Sequence, residues 1–318
     1  MLKWIFLGVA AFILLLTALI AYFCFYRIFL SRRKPKTEEF PIPDGEIYLP
    51  HRERMINWMK DIRSMPHTDV SAVSFDGLTL RGKFYEYEKG APIELMLHGY
   101  KGDSERDLCG GVARCFALGH SAFIIDHRAS GRSDGKVITF GVNESRDALL
   151  WIDYIIKNID SNAKIILTGI SMGAATAMIC AGEELPKNVV GVLADCGYTS
   201  AKDIIKKVMT DMKLPANILY PFAKLGAKIF GKFDPDERSP IDAMTRCRLP
   251  IIFFHGDTDD YVPQYMSVEN YNACVSESKR LVTVKNAGHG LCFVIDSEGY
   301  INELKDFFDP ILNNKKID

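Results

Sequence analysis

The pattern of apolar and polar positions divides the chain before any single residue is considered. From Trp4 to Tyr26 no charged residue occurs, and about 20 apolar residues suffice to cross a bilayer as a helix. Ser31 to about Pro50 is charged and proline-rich, the pattern of a linker. Between His51 and Met65, Met55, Trp58, Met59 and Ile62 recur at helical spacing, which predicts an amphipathic helix packed on the domain or on a membrane surface. Val70 to Phe75 and Leu78 to Tyr87 then alternate around Asp76-Gly77, a hairpin signal. Beyond it the rhythm changes to continuous apolar runs: Ile93 to Leu97, Ala122 to Ile125, Ile165 to Thr168, Val189 to Leu193, Ile251 to Phe254 and Leu281 to Val284. Helical patterns at Asp107 to Leu118, Asn143 to Lys157 and Ala174 to Ala181 separate several of them. Strands buried on both sides and alternating with helices predict an α/β domain with a mostly parallel sheet covered on both faces.

One segment has no strand pattern. From about Gly197 to Arg248 there are helical patches, lysines and prolines, which predicts a helical cap inserted in the domain. Leu219, Tyr220 and Phe222 within it are candidates for an acyl pocket; a small core belonging to the cap itself explains them equally well.

The N-terminal apolar run reads as a transmembrane helix and not as a cleaved signal. Its end, Ile20-Ala21-Tyr22-Phe23-Cys24-Phe25-Tyr26, is bulky and aromatic where a cleavage site would be small. Lys3 precedes the span, whereas Arg27, Arg32, Arg33, Lys34 and Lys36 follow it, so the positive-inside bias puts the remaining chain in the cytoplasm. The expected organisation is an anchor over residues 1–30, a linker and amphipathic helix over 31–69, and a catalytic domain over 70–318. A chain lacking residues 1–30 is expected to be a soluble, active domain.

Composition narrows the function classes. With 318 residues, 48% hydrophobic, and a formal net charge of −1, nothing points to nucleic acid. Eight cysteines occur without a C-x-x-C pair. One of them, Cys24, is in the apolar span; the odd remainder argues for free thiols and against a disulfide framework or zinc site.

The chemistry centres on Gly169-Ile170-Ser171-Met172-Gly173, between an apolar strand pattern and a small-residue helix. Strand, G-x-S-x-G, helix is the setting of a nucleophile elbow. Its turn is so sharp that side chains at 169 and 173 have no room. A serine hydroxyl needs a base, and a base needs a carboxylate to orient it. His289, between two glycines after the last strand, is the candidate base. For the acid, Asp257, Asp259 and Asp260 crowd one turn, and Asp195 ends another strand. Asp257 and Asp260 read as turn formers, but spacing does not choose among the four. The amides of Met172 and Tyr100 are candidates for an oxyanion hole, and His98 reads as a structural residue of the Tyr100 loop.

The motifs together carry a resemblance. L-H-G-Y-K-G-D from Leu97, D-H-R-A-S-G-R-S-D-G from Asp126, G-I-S-M-G from Gly169, A-D-C-G-Y-T-S from Ala194, H-G-D-T-D-D-Y-V-P from His255 and A-G-H-G from Ala287 resemble those of the α/β-hydrolase superfamily. Val70 to Ile311 is similar in detail to bacterial serine aminopeptidase-like hydrolases and to eukaryotic membrane-anchored α/β-hydrolase-domain proteins. The resemblance implies the α/β-hydrolase fold, places the acid at Asp259, and makes Asp126, Arg128 and Ser133 structural. It implies a serine hydrolase with no metal or organic cofactor; an acyl ester or thioester is the favoured substrate because the apolar anchor would hold the site near a bilayer. A membrane and a lipid-like acyl substrate are the expected partners. The rivals are a peptidase, for which the acidic stretch 234–237 is a faint candidate anchor, and a binding protein on the same fold.

Overall fold

The computed structural model describes residues 1–31 and 38–313. Arg32, Arg33, Lys34 and Lys36, which carry much of the charge asymmetry, lie outside the described residues. The apolar N-terminal run is a single helix, α1 (Leu2–Ile28). Its most apolar 18 residues have a mean hydropathy of 2.6 and are 6% buried, so by length and composition it can cross a membrane. A 3-10 turn at Glu46–His51 leads into α2 (Arg52–Ser64), which buries Met55, Met59 and Ile62 at helical spacing.

The hairpin follows, with β1 (Thr68–Val73) antiparallel to β2 (Thr79–Tyr85) and Val73 opposite Thr79. The chain then runs through β3 (Ile93–Leu97), α3 (Ser104–Ala117), β4 (Ser121–Asp126), α4 (Val142–Asn158), β5 (Ile165–Ile170), α5 (Met172–Ala181) and β6 (Val189–Asp195). After β6 come α6 (Ala201–Asp211), α7 (Ala216–Gly226), a π-turn and α8 (Pro240–Met244). The domain closes with β7 (Ile251–Gly256), α9 (Tyr265–Ala273), β8 (Lys279–Val284), α10 (Cys292–Ile295) and α11 (Ser297–Asn313). The eight strands form one sheet in the order β1-β2-β4-β3-β5-β6-β7-β8. Only the β1–β2 and β2–β4 pairs are antiparallel. One core packs α4 and α5 on one face of this sheet; others pack α3 and α11 on the opposite face. Each carboxyl end of the parallel strands therefore opens on a common edge, where ligands sit in such sheets.

The expected boundary at residue 30 needs correction. The last third of α1 is not a free stem: Cys24 and Phe25, with Phe29 just past the helix end, are buried in a core that includes Tyr220, Ala223 and Phe233 of the 197–248 segment, and Ala21 is buried as well. A Cβ on Gly226 would lie 2.2 Å from the Ala21 carbonyl, so the two helices touch backbone to backbone. Phe29 also joins the fold through its main chain, its carbonyl accepting from the Ile138 amide at 2.8 Å. A hydrophobic run long enough for a bilayer hides this division of labour, because lipid and protein core select the same residue types.

Beneath the catalytic edge lies a buried charge network. Glu94 on β3 pairs with Arg114 of α3, with His120 at 3.0 Å, and accepts from Thr168 Oγ1 at 2.9 Å. Burial works to raise the Glu94 carboxyl, but Arg114, His120 and Thr168 outweigh it and hold it at about 2. A carboxyl held below its free value of 4.5 stabilises the fold fully above that pH and loses the contribution as pH falls towards 2. Glu94→Gln, which strands Arg114, should therefore cost about 3–5 kcal/mol at neutral pH. Thermal melts should show the gap narrowing by pH 3; a gap independent of pH would remove Glu94 from the ionised network.

Candidate active site

Ser171 stands between β5 and α5 with φ 56° and ψ −117°, a strained conformation for a residue with a side chain. The two flanking glycines are dictated by contact. A Cβ on Gly169 would lie 2.2 Å from the Gly173 carbonyl, and one on Gly173 would lie 1.9 Å from the Leu97 oxygen. The turn lifts the Ser171 hydroxyl over the sheet edge at the N-terminus of α5, where the helix dipole favours negative charge.

His289 follows β8 on the Asn286-Ala287-Gly288 turn. Its Nε2 is 2.9 Å from Ser171 Oγ and its Nδ1 is 2.7 Å from Asp259 Oδ2. With Asp259 as acceptor, Nδ1 carries the proton and Nε2 is left to accept from the serine. Asp259 is anchored at its other oxygen by the amides of Tyr261 and Val262, at 3.0 and 2.9 Å. Burial pushes its carboxyl up, but hydrogen bonds from His255 and His289 and the His289 charge hold it well below the usual carboxylate range. Cys196 Sγ, Asp259 and His289 also group within 4.8 Å, but the last two are spent on each other. Burial keeps the Cys196 thiol protonated by raising it well above the thiol range.

The other carboxylates of the crowded turn and the neighbouring strand go elsewhere. Asp257 accepts from the Asn286 amide at 2.6 Å, a bond to the loop after β8 and not one within its own turn. Asp195 is buried and accepts from Tyr300 Oη at 3.1 Å. Asp126 receives Ser104 and the Arg132 amide, Arg128 is forked onto Asp147, and Ser133 donates to the Asp126 carbonyl, so all three shape the loop after β4.

The loop after β3 is pinned from several sides. Asp107 of α3 accepts from the Gly99 amide at 3.2 Å, and His98 Nδ1 meets the Gly99 carbonyl at 2.7 Å. His98 Nε2 takes the His127 amide, so both of its ring nitrogens serve the loop. Tyr100 Oη donates to the Ile28 carbonyl at the end of α1. Among the described residues, no turn or loop hydrogen bond to a backbone carbonyl engages the Tyr100 amide or the Met172 amide.

A cavity of about 380 Å³ opens from Ser171 and His289, and its position was not expected. Its walls include Tyr48, Met55, Trp58, Leu108, Tyr261 and Phe293. Tyr48 Oη also donates to the His289 carbonyl at 3.0 Å. Met55 and Trp58 carry the apolar stripe of α2, so a stripe that reads as packing both packs and lines the cavity. Leu219, Tyr220 and Phe222 do not line it. They pack in the cap core against α1. The acidic stretch is likewise engaged: Asp234 holds Lys224 and Lys228, Asp236 holds Lys224 and Tyr220, and Glu237 holds Arg146.

With this geometry in hand, the comparisons are informative about fold. No family model matches the chain. Bacillus subtilis YqkD is 28% identical over 194 residues, covering 60% of this chain and 63% of that protein. The chain thus spans less than two thirds of that relative's length. Schizosaccharomyces pombe bem46 is 27% identical over 228 residues, covering 70% of this chain and 69% of its own. Among solved structures, the Pyrococcus furiosus esterase Pf2001 superposes with a TM-score of 0.65 at 22% identity, over 85% of this chain and 97% of that one. The sheet order, the single antiparallel edge and the likeness to that esterase identify the α/β-hydrolase fold.

Proposed function

We propose that the chain is a membrane-anchored serine hydrolase that cleaves an acyl ester or thioester. The observation that carries this reading is the relay from Asp259 through His289 to Ser171, at 2.7 and 2.9 Å. In this mechanism His289 Nε2 takes the Ser171 proton as Oγ attacks the acyl carbonyl. Asp259 stabilises the imidazolium that forms. The amides of Tyr100 and Met172 receive the oxyanion, helped by the dipole of α5. His289 then protonates the leaving group, and water, activated by the same base, releases the acid from Ser171. The apolar helix α1 supports membrane attachment, and the excess of arginines and lysines after the apolar run over Lys3 before it supports a cytoplasmic catalytic domain. The likeness to a solved esterase supports ester chemistry. The acidic stretch 234–237, a faint candidate anchor for a peptidase substrate, is paired with Lys224, Lys228 and Arg146, which supports the esterase reading over the peptidase one.

A fluorophosphonate probe tests the reading. Wild-type protein should carry one adduct on Ser171 by peptide mass spectrometry. Asp259→Asn should label about a thousandfold or more slowly, because the wrong imidazole tautomer then faces Ser171. Asp195→Asn should label at a rate close to wild type. The opposite ranking of the two aspartate variants would hand the acid role to Asp195.

A further inference from the structure

The cavity descends on the α3 face of the sheet, away from the 197–248 segment. Met96 on β3 and Thr168 on β5 are register partners one residue below the catalytic edge, and both line it. Arg114, tied to Glu94 and so to Thr168, lines it from α3 at that depth. The path therefore runs from Ser171 down the sheet face, between β3 and β5 on one side and α2 and α3 on the other.

Two glycines in the middle of α3 give this path its width. Glycine in a helix interior costs about 1 kcal/mol relative to alanine, so a Gly110-Gly111 pair needs a reason. A Cβ on Gly110 would lie 2.9 Å from the Trp58 ring, and one on Gly111 would lie 2.1 Å from Met96 Cε. Trp58 in turn stacks on Phe293, with ring centroids 5.5 Å apart, which closes the outer wall. The glycines thus let a Trp ring and a Met side chain lie flat against α3 while a cavity persists between helix and sheet.

We propose that this cavity is an acyl channel that takes the unbranched, medium-length acyl chain of the substrate, with Trp58 as its wall and Met96 over Gly111 setting its depth. The inference rests on the hydrolase reading of Ser171. Met55, Trp58, Leu108 and Phe293 give an apolar wall, which suits methylene groups, while the charged residues that share the lining include Arg106 and Arg114, already paired with Asp107 and Glu94. At about 30 Å³ for a water-sized group, a volume of 380 Å³ holds roughly a dozen such groups. That corresponds to a chain of about six to ten carbons besides the ester itself.

The test uses the full chain in nanodiscs with p-nitrophenyl esters from acetate to dodecanoate, and Ser171→Ala as the blank. Gly111→Val should lower the octanoate-to-acetate ratio of kcat/KM about tenfold or more, since a methylene in an apolar pocket is worth that much discrimination. Met96→Ala should move the preferred chain length upward by about two carbons. Leu219→Ala, in the cap core, should leave the length profile as it is. Where Gly111→Val does not fold, the Met96→Ala shift decides alone. A profile that neither variant moves, or one that Leu219→Ala moves instead, overturns the channel while Ser171-dependent hydrolysis stands. So does a second series, acetates of alcohols of increasing length, in which the rate follows the alcohol while the p-nitrophenyl series shows no dependence on the acid. Absence of any Ser171-dependent hydrolysis overturns the channel together with the reading beneath it.

Discussion

Ser171→Ala is expected to reduce ester hydrolysis by about 10⁴-fold or more. In the proposed mechanism the Ser171 hydroxyl forms the bond to the acyl carbon, and without it His289 Nε2, 2.9 Å away, has no serine proton to take. The loss should fall on kcat, because the apolar walls that bind the chain are untouched. Stability should hardly change. Ser171 is buried in a turn whose strain belongs to the backbone, and alanine inherits that strain without adding bulk. Thermal melts within about 2 °C of wild type, together with a rate at the level of the uncatalysed reaction, are the expected pair of results. A residual rate near wild type would remove Ser171 from the nucleophile role even if the fold were intact.

Shortening the N-terminus should separate two functions of one helix. A chain lacking residues 1–18 should stay folded and hydrolyse soluble esters, because those residues touch little of the protein. A chain lacking residues 1–30 should lose most of its stability. It strips Phe25 and Phe29 from the cap core, and truncating a buried Phe costs about 3–5 kcal/mol each time. Set against a total of about 5–15 kcal/mol, that is most of what holds a domain folded. It also removes the Ile28 carbonyl that receives Tyr100 Oη, so whatever remained folded would have a loosened loop at the oxyanion site. Circular dichroism, light scattering and ester turnover on the two shortened chains make the comparison. A soluble, fully active chain starting at residue 31 would show that the packing of α1 is dispensable.

The sheet was legible because period and composition agree. Ile93 to Leu97 and Ile165 to Thr168 are continuous apolar runs bounded by turn residues, and the strands fall on them. The α9 helix was not legible, since its buried face includes Ser267 and Asn270, which are spent on His255 and the Tyr198 carbonyl. A polar residue satisfied by a distant partner looks like a surface residue until the partner is known. The α11 helix carries a readable stripe in Tyr300, Leu304, Phe307 and Phe308, but only the fold shows that it covers the sheet opposite α5.

The candidate site divides in the same way. Ser171 and His289 announce themselves through glycines, because a strained turn and a close backbone approach demand residue types that few other constraints demand. Among four carboxylates, local sequence had no means of choosing. The choice of Asp259 is a matter of which oxygen arrives 2.7 Å from His289 Nδ1, and that depends on how β7 and β8 end side by side. The cavity was further out of reach. Trp58 and Gly110 are 52 positions apart in the chain, and only their contact turns an amphipathic stripe and an ill-placed glycine into one wall. The chain by itself determined the fold class, the elbow and the apolar span, since each is written in residues close together. Tertiary structure alone decided where the cavity beside Ser171 lies and where the apolar helix passes from exposed to packed, because apolar residues look alike whether they face lipid, core or cavity.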